Sequence, residues 1–314
     1  MRYLGHDDPN NLCMRLSSLI AAVMLSNLFI HSCQRSANVV EDEEEYLKSI
    51  REWQQGRLER LKSPTGWLNL AGLYWLEEGE NRFGSDTAND LVFPEKAPPF
   101  CGSILVDGQR LMLQVNEGVE ITHEGTPVYE LELLSDRSNQ RTVLRQGDLS
   151  WYIIRRGKRY GVRLRDLDHP HLRELDQIPA YPVQTDYVVE AELKPFEENR
   201  NMEVATPVER YMEEYECPGE LHFRLRGENL ILYPFVSGSG FFLVFADETT
   251  GLETYGGGRF LYTTPDSTGR IILDFNRAYN PPCAFSPYAT CPRPPGENFL
   301  EMAVEAGEKS VHLH

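Results

Sequence analysis

Apolar positions recur at helical spacing in one long stretch. Tyr46, Ile50, Trp53, Leu58 and Leu61 share a face over residues 41–62, Glu44 stands four residues before Lys48, and acidic residues crowd the first turn. This predicts a helix that Pro64 ends. Beyond it the period shortens. Short apolar runs at 91–93, 103–106, 111–115, 128–133 and 150–154 alternate with turn formers such as Val106-Asp107-Gly108, Asn116-Glu117-Gly118 and Gln146-Gly147-Asp148. They predict a β-sandwich or barrel over residues 66–196. A second set at 221–225, 230–235, 241–245, 259–263 and 270–275 predicts an antiparallel β domain over residues 197–314, with hairpin connections at 226–229 and 247–251. Residues 197–218, polar and acidic, read as the joint between the two. The fold class expected is therefore mainly β behind one N-terminal helix.

The pattern before residue 41 is of another kind. Met14-Arg15-Leu16 followed by an apolar run at 19–30 has the form of a secretory signal peptide, the run being too short to span a bilayer as a helix. Ile30-His31-Ser32-Cys33 then sets an aliphatic and a small residue before cysteine, as a lipoprotein signal peptidase requires. The expectation is a leader over residues 1–33, a lipid on Cys33, and a polar tether at 34–40 leading into the helix of a segment 34–65. Such a protein is held at a membrane of the cell envelope, the outer membrane where the host has one, since Gln34 rather than Asp follows the cysteine.

Composition narrows the partners. The 314 residues carry a formal charge of -17, and removing residues 1–32 leaves it unchanged because Arg2 and Arg15 go with Asp7 and Asp8. So acidic a chain disfavours nucleic acid and anionic headgroups. With 24 Gly, 20 Pro and 11% aromatic residues the chain suits turn-rich β structure rather than disorder, and its length favours two packed domains. Of six cysteines, Cys13 lies in the leader and Cys33 takes the lipid, leaving Cys101, Cys217, Cys283 and Cys291. Cys283 and Cys291 close a short loop and are the candidate disulfide in an oxidising compartment. No CxxC and no nearby His pair completes a zinc set, so neither a metal nor another cofactor is expected.

Glu78-Gly79-Glu80-Asn81-Arg82-Phe83-Gly84-Ser85, then Asn89-Asp90-Leu91, resembles the opening of a forkhead-associated domain. In that family a glycine, a basic or small residue and an Asn-Asp pair build the face that binds phosphothreonine peptides. Pro98-Pro99-Phe100-Cys101-Gly102 stands where the family has Ser-Arg-x-x-His. The resemblance therefore implies the sandwich more than the binding, which lacks its serine and arginine donors. Further on, Arg163 and Arg165 share one strand face and Val162 and Leu164 the other. The two arginines are placed to meet carboxylates of the neighbouring domain or an anionic ligand.

The region 251–308 is the densest in motifs. Gly251-Leu252-Glu253-Thr254-Tyr255-Gly256-Gly257-Gly258-Arg259-Phe260-Leu261-Tyr262, Leu273-Asp274-Phe275-Asn276-Arg277-Ala278-Tyr279-Asn280-Pro281-Pro282-Cys283, Tyr288-Ala289-Thr290-Cys291-Pro292, Asn298 and Ala306-Gly307-Glu308 resemble the bacterial family known as domain of unknown function 1684 (DUF1684). Gly66-Trp67-Leu68 and Arg163-Leu164-Arg165-Asp166 also fit it. The resemblance implies membership but no mechanism.

From the residues themselves, Glu253, Tyr255, Arg259, Asp274, Asn276, Arg277, Tyr279 and Asn280 are the candidates for a polar or anionic small-molecule site, binding or hydrolytic. Three glycines allow close approach, Arg259 suits a carboxylate or phosphate, and Glu253 with Asp274 are the best acid/base candidates. The competing expectation is an envelope interaction scaffold in which the same residues stitch the domains together and Arg259 pairs with Asp274. No nucleophile elbow, H-E-x-x-H or phosphate-binding loop occurs in the sequence.

Overall fold

Helix α1 (Glu43–Lys62) begins where a side chain can cap it. Asp42 accepts a hydrogen bond from the Glu45 N–H at 3.0 Å, which sets the start two residues later than the acidic run suggests. Its buried side chains are Ile50, Arg57 and Leu61, so the inward face includes a guanidinium. The computed structural model describes residues 39–313; the expected leader and the lipid site Cys33 lie outside these residues. Among the described residues no helix is long and apolar enough to cross a membrane.

Two antiparallel sheets follow. One orders the strands Leu70–Trp75, Arg159–Asp166, Leu149–Arg156, Val143–Gln146, Thr122–His123 and Thr126–Pro127; the other orders Leu91–Val92, Gly79–Gly84, Gly102–Asp107, Arg110–Val115 and Glu130–Glu132, with a parallel pairing only at its Leu91–Val92 edge. The inward positions of both form one core around Phe83, Ile104, Leu113, Leu144, Trp151, Val162 and Leu164. Trp151 meets Phe83 and Phe93 edge-on, with ring centroids 5.4 and 6.1 Å apart. Each of the runs read at 91–93, 103–106, 111–115, 128–133 and 150–154 overlaps a strand, but Leu149–Arg156 and Arg159–Asp166 are buried on both faces, and the sandwich strands end at Asp166.

The C-terminal body is also two sheets. One orders Glu228–Leu232, Met212–Leu225, Val188–Ala205 and Ile271–Asp274. The other orders Phe235–Ser237, Gly240–Asp247 and Arg259–Thr263, with Phe299–Leu300 pairing parallel to Gly240–Asp247. Leu221, Phe223 and Leu273 from the first meet Leu243, Phe245 and Leu261 from the second.

Two expectations are corrected here. Residues 197–218 are not a joint: Val188–Ala205 and Met212–Leu225 pair from Ala191↔Phe223 to Ala205↔Met212, with one irregularity between Pro195 and Arg200. The boundary expected at 196 falls inside the first of these strands. The acidic residues are its solvent side. Met202, Val204, Tyr215 and Cys217 pack inward, while Glu203, Glu214 and Glu216 alternate outward. The strand expected over 230–235 is instead two strands in different sheets. Pro234 has no N–H to give a ladder, and the Tyr233 N–H donates to Asn298 Oδ1 at 2.7 Å.

Candidate functional site

The segment after Ile271–Asp274 is a strap that binds helix α1 to the C-terminal body. Asp274 accepts from Tyr46 Oη at 2.8 Å, from the Asn276 N–H at 3.1 Å and from Arg277 Nε at 3.0 Å. Asn276 Nδ2 donates to Tyr46 Oη and to the Gln184 carbonyl, and a terminal nitrogen of Arg277 donates to Ser49 Oγ. Burial pushes the Asp274 carboxyl up, against the lowering by Tyr46 and Arg277, and pushes the Tyr46 phenol up as well. Three of the expected site residues are therefore consumed in holding the helix.

Next along the strap, the Asn280 N–H donates to Glu308 Oε2 at 2.7 Å and its Nδ2 to the Lys309 carbonyl at 2.7 Å. Arg57 on α1 completes the knot, pairing with Glu308 at 3.1 Å and donating to the Asn280 carbonyl at 2.7 Å. Burial pushes Glu308 up, opposed by the Arg57 charge. Gly307 is required at this point: its φ is +80°, and a Cβ there would lie 2.4 Å from the Ala278 carbonyl oxygen. Glu308 was visible only as part of a motif. Arg57 belongs to no motif, although its place four residues after Trp53 and four before Leu61 marks the buried stripe.

Arg259 does not pair with Asp274. It is fully buried and bound at 2.7 Å to Asp247, equally buried, and it donates to the carbonyls of Val304 and Ala306. Asp247 also takes the Thr249 N–H and hydroxyl, so this pair fixes both a turn and the C-terminal segment. Nor do Glu253 and Asp274 form an acid/base pair. Glu253 lies in a turn and meets Lys309 at 2.7 Å, which holds its carboxyl below the usual range. The glycines serve packing in part: a Cβ on Gly258 would strike Pro294, and one on Gly257 the Tyr255 ring.

What is left open to solvent are clefts beside these knots. One, of about 350 Å³, is lined by Trp53, Arg57, Arg60, Tyr262, Arg277 and Tyr279. The Arg57 guanidinium lies 4.6 Å from the Tyr279 ring centroid, and Tyr262 stacks on Tyr279 with centroids 6.4 Å apart. A second, of about 520 Å³, runs along Tyr255 to Gly258 and reaches Cys283, Cys291 and Arg293. Cys283 and Cys291, the expected disulfide, are neighbouring thiols in this structure: the Cys283 N–H donates to Cys291 Sγ at 3.1 Å and the Cys291 N–H to Cys283 Sγ at 3.3 Å. Among the described residues no cluster of three His, Cys, Asp or Glu side chains is arranged to hold a metal ion.

Arg163 and Arg165 lie on the strand face opposite Val162 and Leu164 of the sandwich core, as expected, but only Arg163 reaches the C-terminal body and neither has a carboxylate partner among the described residues. Arg165 donates to Asn69 Oδ1 at 2.7 Å and to the Gly66 carbonyl; Arg163 donates to Thr290 Oγ1 at 3.2 Å while its buried Nε has no partner. In the forkhead-like segment Ser85 donates to the Ala97 carbonyl, Asn89 to the Asp86 and Pro99 carbonyls, and Asp90 pairs with Arg82. Those side chains close their own loops.

The sequence model of the family described as "Protein of unknown function (DUF1684)" matches residues 173–309. An uncharacterized protein of Haloarcula marismortui, solved by NMR, is 36% identical over an alignment that covers 46% of this chain and 83% of that one, with a TM-score of 0.39. The FHA domain of FhaA, solved in complex with an intracellular domain of another protein, is 21% identical, covering 30% of this chain and 97% of that one at a TM-score of 0.22. A structure from work on phosphothreonine-dependent FHA domain interactions is 20% identical, covering 30% and 92%, at a TM-score of 0.22. No curated protein matches. With the family's sequence model spanning the strap, the Arg259 strand and the Glu308 knot, the chain belongs to the DUF1684 family.

Proposed function

We propose that this protein is a lipid-anchored binding protein of the cell envelope that takes a small anionic ligand in the cleft between helix α1 and the strap. The observation that carries the reading is the lining: three guanidinium groups, Arg57, Arg60 and Arg277, with three aromatic rings, Trp53, Tyr262 and Tyr279, in a chain of formal charge -17. Arg60 is exposed and has no ion pair among the described residues. The rings give a planar ligand a stacking surface, and Arg60 offers N–H donors to a carboxylate or phosphate, while Arg57 and Arg277 are held in place by Glu308 and Asp274. The lining holds no carboxylate, thiol or imidazole, so the reading is binding rather than hydrolysis. Arg277 and Tyr279 come from the expected site; Arg259, Asn276 and Asn280 act as its frame.

Titration with benzoate and with inorganic phosphate, followed by the fluorescence of Trp53 and assigned with Trp53→Phe, tests it. The expected result is a saturable change in the parent that Arg60→Gln weakens by roughly tenfold, the size of one lost charge-assisted contact. No response, or an equal response in parent and variant, would remove the reading. The scaffold alternative draws on the satisfied bonds of residues 274–280 and predicts capture of an acidic protein surface through the same arginines with no small-anion response. Anchoring is part of the proposal: intact-mass analysis of protein purified from membranes is expected to show a lipid on Cys33, and an unmodified residue there would overturn it.

A further inference from the structure

The second cleft holds a pair of sulfurs in an asymmetric setting. Both line the cleft, Cys283 partly exposed and Cys291 only 7% exposed. Each backbone N–H points at the other residue's sulfur, at 3.1 and 3.3 Å, so each sulfur has a donor fixed by the chain and the two side chains face one another. The loop between them is anchored from the sandwich: Thr290, next to Cys291, accepts from Arg163 and from Arg156, each at 3.2 Å. Arg163 is 3% exposed, has no carboxylate partner among the described residues, and leaves its Nε unbonded. A buried guanidinium without a counter-ion is costly and favours a negative group nearby. Arg293 is exposed at the rim of the same cleft.

We propose that Cys283 and Cys291 form a thiol–disulfide exchange site for low-molecular-weight disulfides, with Cys283 as the attacking sulfur and Cys291 as the resolving one. Exposure decides the roles, because both residues line the cleft but Cys283 is partly exposed and Cys291 is buried. The electrostatics agree: the hydrogen bond from Cys291, with the charges of Arg163 and Arg293, holds the Cys283 thiol below its ordinary value, while burial pushes Cys291 up. The Cys283 thiolate attacks one sulfur of R–S–S–R, forming Cys283–S–S–R and expelling RS⁻, which takes a proton from water. Cys291 loses its proton to solvent and attacks Cys283 Sγ, forming the Cys283–Cys291 disulfide and expelling a second RS⁻. The dithiol gives up two electrons and the small disulfide is reduced to two thiols. At about 520 Å³ the cleft is within the range for small-molecule sites, and the glycines 256–258 on its wall leave room for the departing thiol.

The test uses the reduced protein and oxidised glutathione. The expected products are an intramolecular Cys283–Cys291 disulfide in the parent, a glutathione adduct confined to Cys283 in Cys291→Ser, and neither in Cys283→Ser. Buried Cys101 and Cys217 serve as internal controls. At neutral pH iodoacetamide is expected to label Cys283 at least tenfold faster than those controls, and Arg293→Gln, a surface change, to slow that labelling about threefold and move its pH midpoint upward. Melting temperatures measured alongside keep a folding defect from passing as lost reactivity. An adduct on Cys291 in place of Cys283, a dithiol that survives excess oxidised glutathione, or oxidation by hydrogen peroxide alone would overturn the proposal. The glutathione products do not depend on the cleft of Arg60, so this outcome is separable from the anion test.

Discussion

The sandwich and the C-terminal body are both two-sheet β structures, yet they are held together by different means. The sandwich core is a cluster of apolar side chains, from Phe83 and Ile104 to Trp151 and Leu164, with the buried amide of Asn81 tied to the Ile104 carbonyl. The C-terminal body has an apolar layer and buried amides too, Asn298 donating to the Tyr233 and Val244 carbonyls, but it adds buried ion pairs, Arg259 with Asp247 and Arg57 with Glu308. An apolar core tolerates exchange among residues of similar size, whereas a buried polar tie needs each partner in place. A dense motif in such a region is therefore as much a record of ties as of a ligand site.

The comparison breaks first at Asp247. Asp247→Ala leaves Arg259 charged and unpaired in a dry interior, and the expected loss is about 4 kcal/mol by chemical denaturation. Arg259→Met combined with Asp247→Leu removes both charges and should recover most of it. If the single variant costs under about 1 kcal/mol, the tie is not what holds this body. In the sandwich, Leu113→Ala should cost about 3 kcal/mol through lost burial and a cavity, with no dependence on pH. A pH-dependent loss there would erase the contrast between the two regions.

The smallest effect is expected at Glu308. Burial raises its folded pKa above the ordinary 4.5, so the folded chain keeps a proton that the unfolded chain has released. Its contribution is complete below that value and is lost as pH rises through the raised one. Glu308→Gln cannot titrate, so its stability should change less than the parent's from about pH 4.5 upward, other carboxylates contributing equally to both. Parallel stability curves for parent and variant would show that Glu308 titrates at its ordinary value.

How far the sequence reveals these features follows from the range of each interaction. The helix, the strands of the sandwich and the inward face of Val162 and Leu164 are legible because burial imposes a period on neighbouring positions. The ribbon of Val188–Ala205 and Met212–Leu225 was hidden by its glutamates, whose alternation with Met202, Val204, Tyr215 and Cys217 is the actual signal. Among the site candidates, the sequence marked Asp274, Asn276, Arg277, Tyr279 and Asn280 as unusual but not what they face.

Local pattern marks the helix, most of the strands and the residues that carry chemistry, since propensity and hydrophobic period act within a few residues. Tertiary structure alone decided the pairings: Arg259 with Asp247 instead of Asp274, Arg57 with Glu308 across 251 positions, and Cys283 beside Cys291 in front of Arg163. Those choices rest on which charge is nearest once water has been excluded, a property of the packed interior that no local pattern encodes.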